Sequence, residues 1–84
     1  LYFDKLEYLD KLERYDEALK FCEKIIEINP KYKWSYYKKL EYLDKLNRYD
    51  EALLNCDKII EIDPKNILSY KDKIKYLDLL KRYD

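Results

Sequence analysis

The stretch YLDKLERYDEALKFCEKIIEINPK at residues 8–31 returns as YLDKLNRYDEALLNCDKIIEIDPK at residues 42–65, and YLDLLKRYD at 76–84 opens the same phrase a third time. Residue 8 therefore falls on 42 and on 76, a constant shift of 34. Of 11 tyrosines, nine keep this period: Tyr2, Tyr36 and Tyr70; Tyr8, Tyr42 and Tyr76; Tyr15, Tyr49 and Tyr83. Self-similarity at a period of about 20–50 residues is the signature of a stacked solenoid, in which each unit buries its apolar face against its neighbour.

Inside one unit the apolar spacing is helical. Tyr36, Leu40 and Leu43 follow i, i+4, i+7, and Ala52, Cys56, Ile59 and Ile60 follow i, i+4, i+7, i+8, so each unit holds two amphipathic helices. Asn47-Arg48-Tyr49-Asp50 is expected between them, with Asp50 and Glu51 placing negative charge at the unpaired N–H groups of the second helix. Asn29-Pro30 and Asp63-Pro64 end the second helices, because proline lacks an N–H and disfavours the helical conformation of the residue before it. Asn66 can cap the following helix with its side chain, whereas Tyr32 at the matching place cannot. The result is an all-α chain of five helices in one domain, 1–84: a first repeat 1–32, a second 33–66 and a half repeat 67–84.

Composition narrows the function classes. Eighteen basic and 18 acidic residues cancel, which removes the electrostatic footprint of a nucleic-acid or anionic-membrane binder. No apolar run reaches the roughly 18–20 residues that span a bilayer, and LYFDKLEYLD carries charge where a signal peptide needs an unbroken apolar stretch. A soluble, cytoplasmic setting is expected. The chain opens on Leu1 rather than Met, as when a sequence begins inside a longer reading frame or has been trimmed. Gly, Val, Thr, Gln, His and Met are all absent; repetition accounts for part of this, and a biased genome or an engineered origin for the rest.

Catalysis and cofactors are not expected. There is no His and no Gly-rich phosphate loop, and Ser35 and Ser69 stand near helix starts without a general base at motif spacing. Cys22 and Cys56 occupy equivalent places on two second helices. Helices packed about 8–10 Å apart keep such Cα atoms beyond the roughly 7 Å limit of a disulfide. A metal would lack further soft ligands, so reduced core thiols are the expectation.

A 34-residue helix-turn-helix with Tyr-Asp-Glu-Ala-Leu opening the second helix and Glu-Ile-Asn/Asp-Pro closing it resembles the tetratricopeptide repeat, over the whole chain. The resemblance implies an αα-hairpin solenoid, a right-handed superhelix whose first helices line a concave groove for a segment of a protein partner. Small family positions are filled here by Leu6, Leu40, Ile25 and Ile59. The family's usual glycine between the helices is replaced by Glu13, Asn47 and Lys81. Asn tolerates φ > 0 better than Glu or Lys, so the first turn is expected to be strained or reshaped.

Carried over by register, the groove positions are Phe3, Glu7, Asp10 and Lys11; Trp34, Tyr37, Glu41, Asp44 and Lys45; and Leu68, Lys71, Lys75 and Asp78. Aromatic side chains beside acids suit a partner with apolar anchors and a Lys or Arg. Against this stands an ordinary solvated face: Glu7 with Lys11 and Glu41 with Lys45 are i, i+4 pairs in the favourable order. Family members that clamp a terminal carboxylate use Lys and Asn in the first repeat, and Phe3 and Glu7 at those places disfavour this. Because Glu7 and Glu41 give way to Lys75, the groove is expected to be acidic at one end and basic at the other.

A structural role competes with peptide binding. A capping helix presents a polar outer face, yet residues 70–83 are apolar nearly all round. Leu77, Leu79, Leu80 and Tyr83 are the expected contact with another copy, giving a homo-oligomer through the last helix. An engineered repeat with no natural ligand is a further alternative, against which the differences Lys20 to Leu54 and Phe21 to Asn55 count.

Overall fold

The computed structural model describes residues 2–82, and the side chains of residues 4–81. Five helices follow in order: α1 (Tyr2–Lys11), α2 (Tyr15–Ile28), α3 (Lys33–Lys45), α4 (Tyr49–Ile62) and α5 (Ile67–Arg82). There is no strand among the described residues. Each helix packs on the next in sequence, as expected of a quasi-one-dimensional repeat. The backbone of α1 makes no close approach to that of α3, nor α3 to that of α5, among these residues. Clefts therefore separate successive first helices.

The turns within each helix pair share one hydrogen-bonding pattern. Arg14 N–H reaches Leu9 C=O at 3.0 Å and Glu13 N–H reaches Asp10 C=O at 3.0 Å; Arg48 to Leu43 at 2.9 Å and Asn47 to Asp44 at 3.0 Å repeat them. These are the two bonds of a Schellman cap, which places its pivot residue in the left-handed region. Glu13 has φ 56° and Asn47 φ 58°. The first turn is thus not reshaped: Glu13 accepts the conformation at a steric cost that glycine would avoid.

The second helices begin earlier than the sequence spacing implied. Tyr49 and Asp50 lie inside α4, with Arg48 at the cap position and no side-chain cap bond. Asp50 and Glu51 place negative charge in the first turn instead, where the helix dipole favours it, and Glu51 is itself paired with Arg48. Asn29 and Asp63 close α2 and α4, their N–H groups bonded to Ile25 and Ile59 C=O. Asn66 caps α5 by accepting the Ser69 N–H at 3.2 Å, whereas Tyr32 caps α3 without its side chain.

The periodic tyrosines have two structural tasks. Tyr36 donates to the Pro30 carbonyl at 2.6 Å and Tyr70 to that of Pro64 at 2.9 Å, bracing each inter-repeat loop. Tyr42 stacks on Tyr15 with ring centroids 5.9 Å apart, and Tyr76 on Tyr49 at 5.8 Å, tying each first helix to the preceding second helix. Leu6, Leu9, Ala18, Leu19, Cys22, Ile25, Leu40, Leu43, Ala52, Cys56 and Ile59 fill the core around them. Each such leucine or isoleucine contributes about 2 kcal/mol through burial. Both cysteines are free and buried, and burial pushes each thiol up to about 12. The serines are also structural: Ser35 Oγ donates to Tyr32 C=O at 2.6 Å.

One polar contact departs from the repeat. Asn55, where the first unit has Phe21, is buried and donates from Nδ2 to the Tyr36 carbonyl at 2.8 Å. It crosses from α4 to α3 inside the core.

The residues expected to form a contact on the last helix differ in exposure. Leu79 is half-buried against the core, because its place on α5 lies beside the turn that carries Tyr76. Leu80 is also half-buried, lining a cleft with Asn47, Arg48, Tyr49, Asp50 and Glu51. Tyr83 lies outside the described residues. Leu77, as expected of a contact residue, is exposed, and Ile67, Tyr70 and Ile74 are exposed with it, Ile74 at 67%. The corresponding Tyr36, Leu40 and Leu43 of α3 are buried, since α4 covers them.

Candidate functional site

Two clefts lie along the face built by the first helices. The first, between α1 and α3, is lined by Leu6, Glu7, Asp10, Trp34 and Lys38. The second, between α3 and α5, is lined by Tyr37, Leu40, Ile59, Asn66, Leu68, Ser69 and Asp72. The sequence register therefore brings Glu7, Asp10 and Trp34 together in one cleft, and Tyr37 and Leu68 in the other. Glu41, Asp44, Lys75, Lys11, Lys45, Lys71 and Asp78 line neither. Phe3 lies in α1, with its side chain outside those described.

The first cleft combines an aromatic wall with acids. Trp34 is half-buried, its ring 5.8 Å from that of Tyr32. Glu7 meets Lys11 at 3.7 Å across two exposed side chains, a contact worth about 0.3–0.5 kcal/mol. Glu41 does not pair with Lys45; it takes Lys38 at 2.9 Å, one turn toward the N-terminus. Lys38 is half-buried along α3, and its ammonium also lies 5.4 Å from the centre of the Tyr42 ring, so Glu41 neutralises it there at short range.

The second cleft is more apolar and more tightly braced. Asn66 donates to Tyr37 Oη at 2.8 Å, which fixes the Tyr37 ring while Asn66 also caps α5. Leu68 is 68% exposed at the cleft mouth. Burial raises the Asp72 carboxyl above its ordinary value, against the opposing pull of Lys75.

Between these clefts and α5 runs a charged link. Lys75 Nζ lies 3.2 Å from Asp44 Oδ1, and Tyr76 donates to the same oxygen at 3.0 Å. Burial, followed by the hydrogen bond to Asp44, holds the Tyr76 phenol well above its usual range. Lys75 is therefore committed to an internal partner, and the basic end of the expected charge gradient is largely neutralised.

Two family models described as tetratricopeptide repeat match the chain, one over residues 1–32 and one over residues 21–53. Together they span more than half of it. The chain belongs to the tetratricopeptide repeat family. The first match takes in the α1–α2 pair, while the second begins within α2 and ends in α4, half a unit out of phase. No curated protein matches the chain. Tetratricopeptide repeats generally mediate protein–protein interaction and are typically non-enzymatic scaffolds. No group of His, Cys, Asp and Glu suited to a metal ion occurs among the described residues, and no helix there is long and apolar enough to cross a membrane.

Sequence reasoning missed Lys38, Asn66 and Asp72 as cleft residues. A signal was present for two of them. Positions 38 and 72 are one repeat apart and of opposite charge, as are 41 and 75, so Lys38–Glu41 and Asp72–Lys75 are the same i, i+3 pair with its signs exchanged.

Proposed function

We propose that the chain is a protein-interaction module that holds a segment of a partner protein along the face of α1, α3 and α5. The observation that carries this reading is the placement of Trp34 and Tyr37 on one helix, each opening into a different cleft. A bound segment spanning both clefts would seat one apolar anchor against Tyr37 and Leu68 and a second beside Trp34. Buried aromatic anchors commonly carry most of the energy of such contacts. Selecting a random peptide library on the chain, and repeating the selection on Trp34→Ala, tests it: enriched peptides should lose at least about tenfold in affinity for the variant, as a lost anchor costs. Equal binding to both forms would refute the reading.

A second reading, association with another copy, is favoured by the exposed stripe on α5. Ile67, Tyr70, Ile74 and Leu77 recur at i, i+3, i+7 and i+10, the a/d spacing of a two-helix seam. Lys71 and Asp78 flank the same edge of that stripe, so antiparallel pairing of two α5 helices sets each Lys71 near the Asp78 of the other copy. Sedimentation of the chain and of Ile74→Lys over a wide concentration range tests this. A dimer abolished by the substitution supports it, and a monomer throughout refutes it.

A further inference from the structure

The step from α3 to α5 contains its own cation site. Lys75 of α5 places its ammonium 3.2 Å from Asp44 and 5.1 Å from the centre of the Tyr76 ring, while the Tyr76 hydroxyl donates to the same Asp44 oxygen. Ammonium and phenol thus share one carboxylate oxygen, Asp44 Oδ1, as a charge-assisted pair of contacts.

The step from α1 to α3 repeats this arrangement with one member changed. Asp10 stands where Asp44 stands, Tyr42 where Tyr76 stands, and Glu41 where Lys75 stands. The ammonium over the Tyr42 ring comes instead from Lys38, but its bond goes to Glu41. No ion pair reaches Asp10 among the described residues. The Tyr42 hydroxyl is fully buried and has no hydrogen-bond partner among the described residues. Leaving a buried hydroxyl unmatched is costly, and its counterpart Tyr76 shows what satisfies it.

Lys38, whose ammonium lies 5.4 Å from the centre of the Tyr42 ring, lines the cleft beside Trp34 together with Asp10. Tyr42 thus lies behind Lys38, one wall of a cleft that also holds Glu7, Asp10 and Trp34.

We infer that the cleft between α1 and α3 is a pocket for a cationic side chain, a lysine or arginine of a bound segment, with Asp10 as its counter-charge in the way that Asp44 serves Lys75. The aliphatic stem lies along Leu6 and Trp34, and the head group meets Asp10 and Glu7. Cation binding draws the Asp10 carboxylate into the geometry of Asp44, where it accepts the Tyr42 hydroxyl. This rests on the groove reading, and it fixes the chemistry of one anchor.

The test is titration of the whole chain with N-acetyl-arginine amide and with its uncharged citrulline counterpart, followed by ¹H–¹⁵N correlation spectra. The arginine compound should shift the Trp34 indole and the amides around Asp10 and Lys38, weaken as salt rises, and bind about tenfold more tightly than citrulline, as a charge-assisted bond implies. Asp10→Asn should remove that difference. Tyr42→Phe should raise the melting temperature, by removing the unmatched hydroxyl, yet weaken arginine binding severalfold. Equal shifts from arginine and citrulline, or none in this cleft, overturn the pocket. If library peptides still bind across Tyr37 and Leu68 in that case, the groove reading stands without it. If arginine binds as described and no peptide is enriched, the pocket stands and the groove reading falls.

Discussion

Tyr76 donates its phenolic hydrogen to Asp44 at 3.0 Å across the gap between α5 and α3, and the same carboxylate oxygen holds Lys75. Asp44→Ala leaves a buried hydroxyl and an ammonium without their shared partner. It should lower stability by about 1–3 kcal/mol, measured by urea denaturation. Unchanged stability would mean that water replaces the carboxylate at no cost.

Glu13 occupies the left-handed pivot of its Schellman turn with φ 56°. Glu13→Gly should raise stability by about 0.5–1 kcal/mol, because relief of the steric cost outweighs the added freedom of the unfolded chain. In a chain of this size that corresponds to a rise in Tm of about 2–8 °C. Asn47→Gly should have a smaller effect, since Asn already tolerates this region. A lower melting temperature for Glu13→Gly would contradict the strain.

Asn55 places an amide inside the core and satisfies it on the Tyr36 carbonyl. Asn55→Ala removes that bond and leaves a small void, and should cost about 1–2 kcal/mol in a denaturation measurement. A neutral result would indicate that α3 and α4 close over the gap.

Alkali should unfold the chain through groups whose protonated forms are preferred in the fold. Burial raises Cys22 and Cys56 from 9.0 to about 12 and Tyr42 from 10.0 to about 12. Between those limits the unfolded chain has lost protons that the folded chain keeps. Stability is then fully present below about pH 9 and falls as pH rises toward about 12, by about 1.4 kcal/mol per pH unit for each group in its own window. Replacing both cysteines by Ala should flatten the part of the fall below pH 10. Stability rising with pH over this range would invert the sign and refute the assignment.

Most of the fold is legible in the sequence because repetition multiplies weak signals. The 34-residue shift places Tyr36 and Tyr70 at equivalent loops, and Pro30 and Pro64 before equivalent helices, so one helix pair read correctly supplies the next. The αL turn at Glu13 and Asn47 is legible only through the family resemblance, whose usual glycine these residues replace.

The site is less legible because its chemistry lives in the differences between repeats. Periodicity alone does not say that Glu41 turns to Lys38 rather than Lys45, since both are within one helical turn and the choice depends on the Tyr42 ring that holds Lys38. The exposed side of α5 is legible only in part, at Leu77, for a related reason. Leu79 departs from the repeat, standing where Lys11 and Lys45 stand, and draws the eye, whereas Leu80 repeats Leu12 and Leu46. Tyr70, Ile74 and Leu77 keep the apolar character of the repeat and are exposed where no helix of the described chain packs.

The measurement that bears most directly on the central claim is chemical-shift mapping of a library-selected peptide on the isotope-labelled chain. Shifts concentrated at Trp34, Tyr37, Asp10 and Leu68, the lining of the two clefts, are expected. Shifts confined to α2 and α4, or to Ile74 and Leu77 on the bare side of α5, would contradict recognition along the first helices.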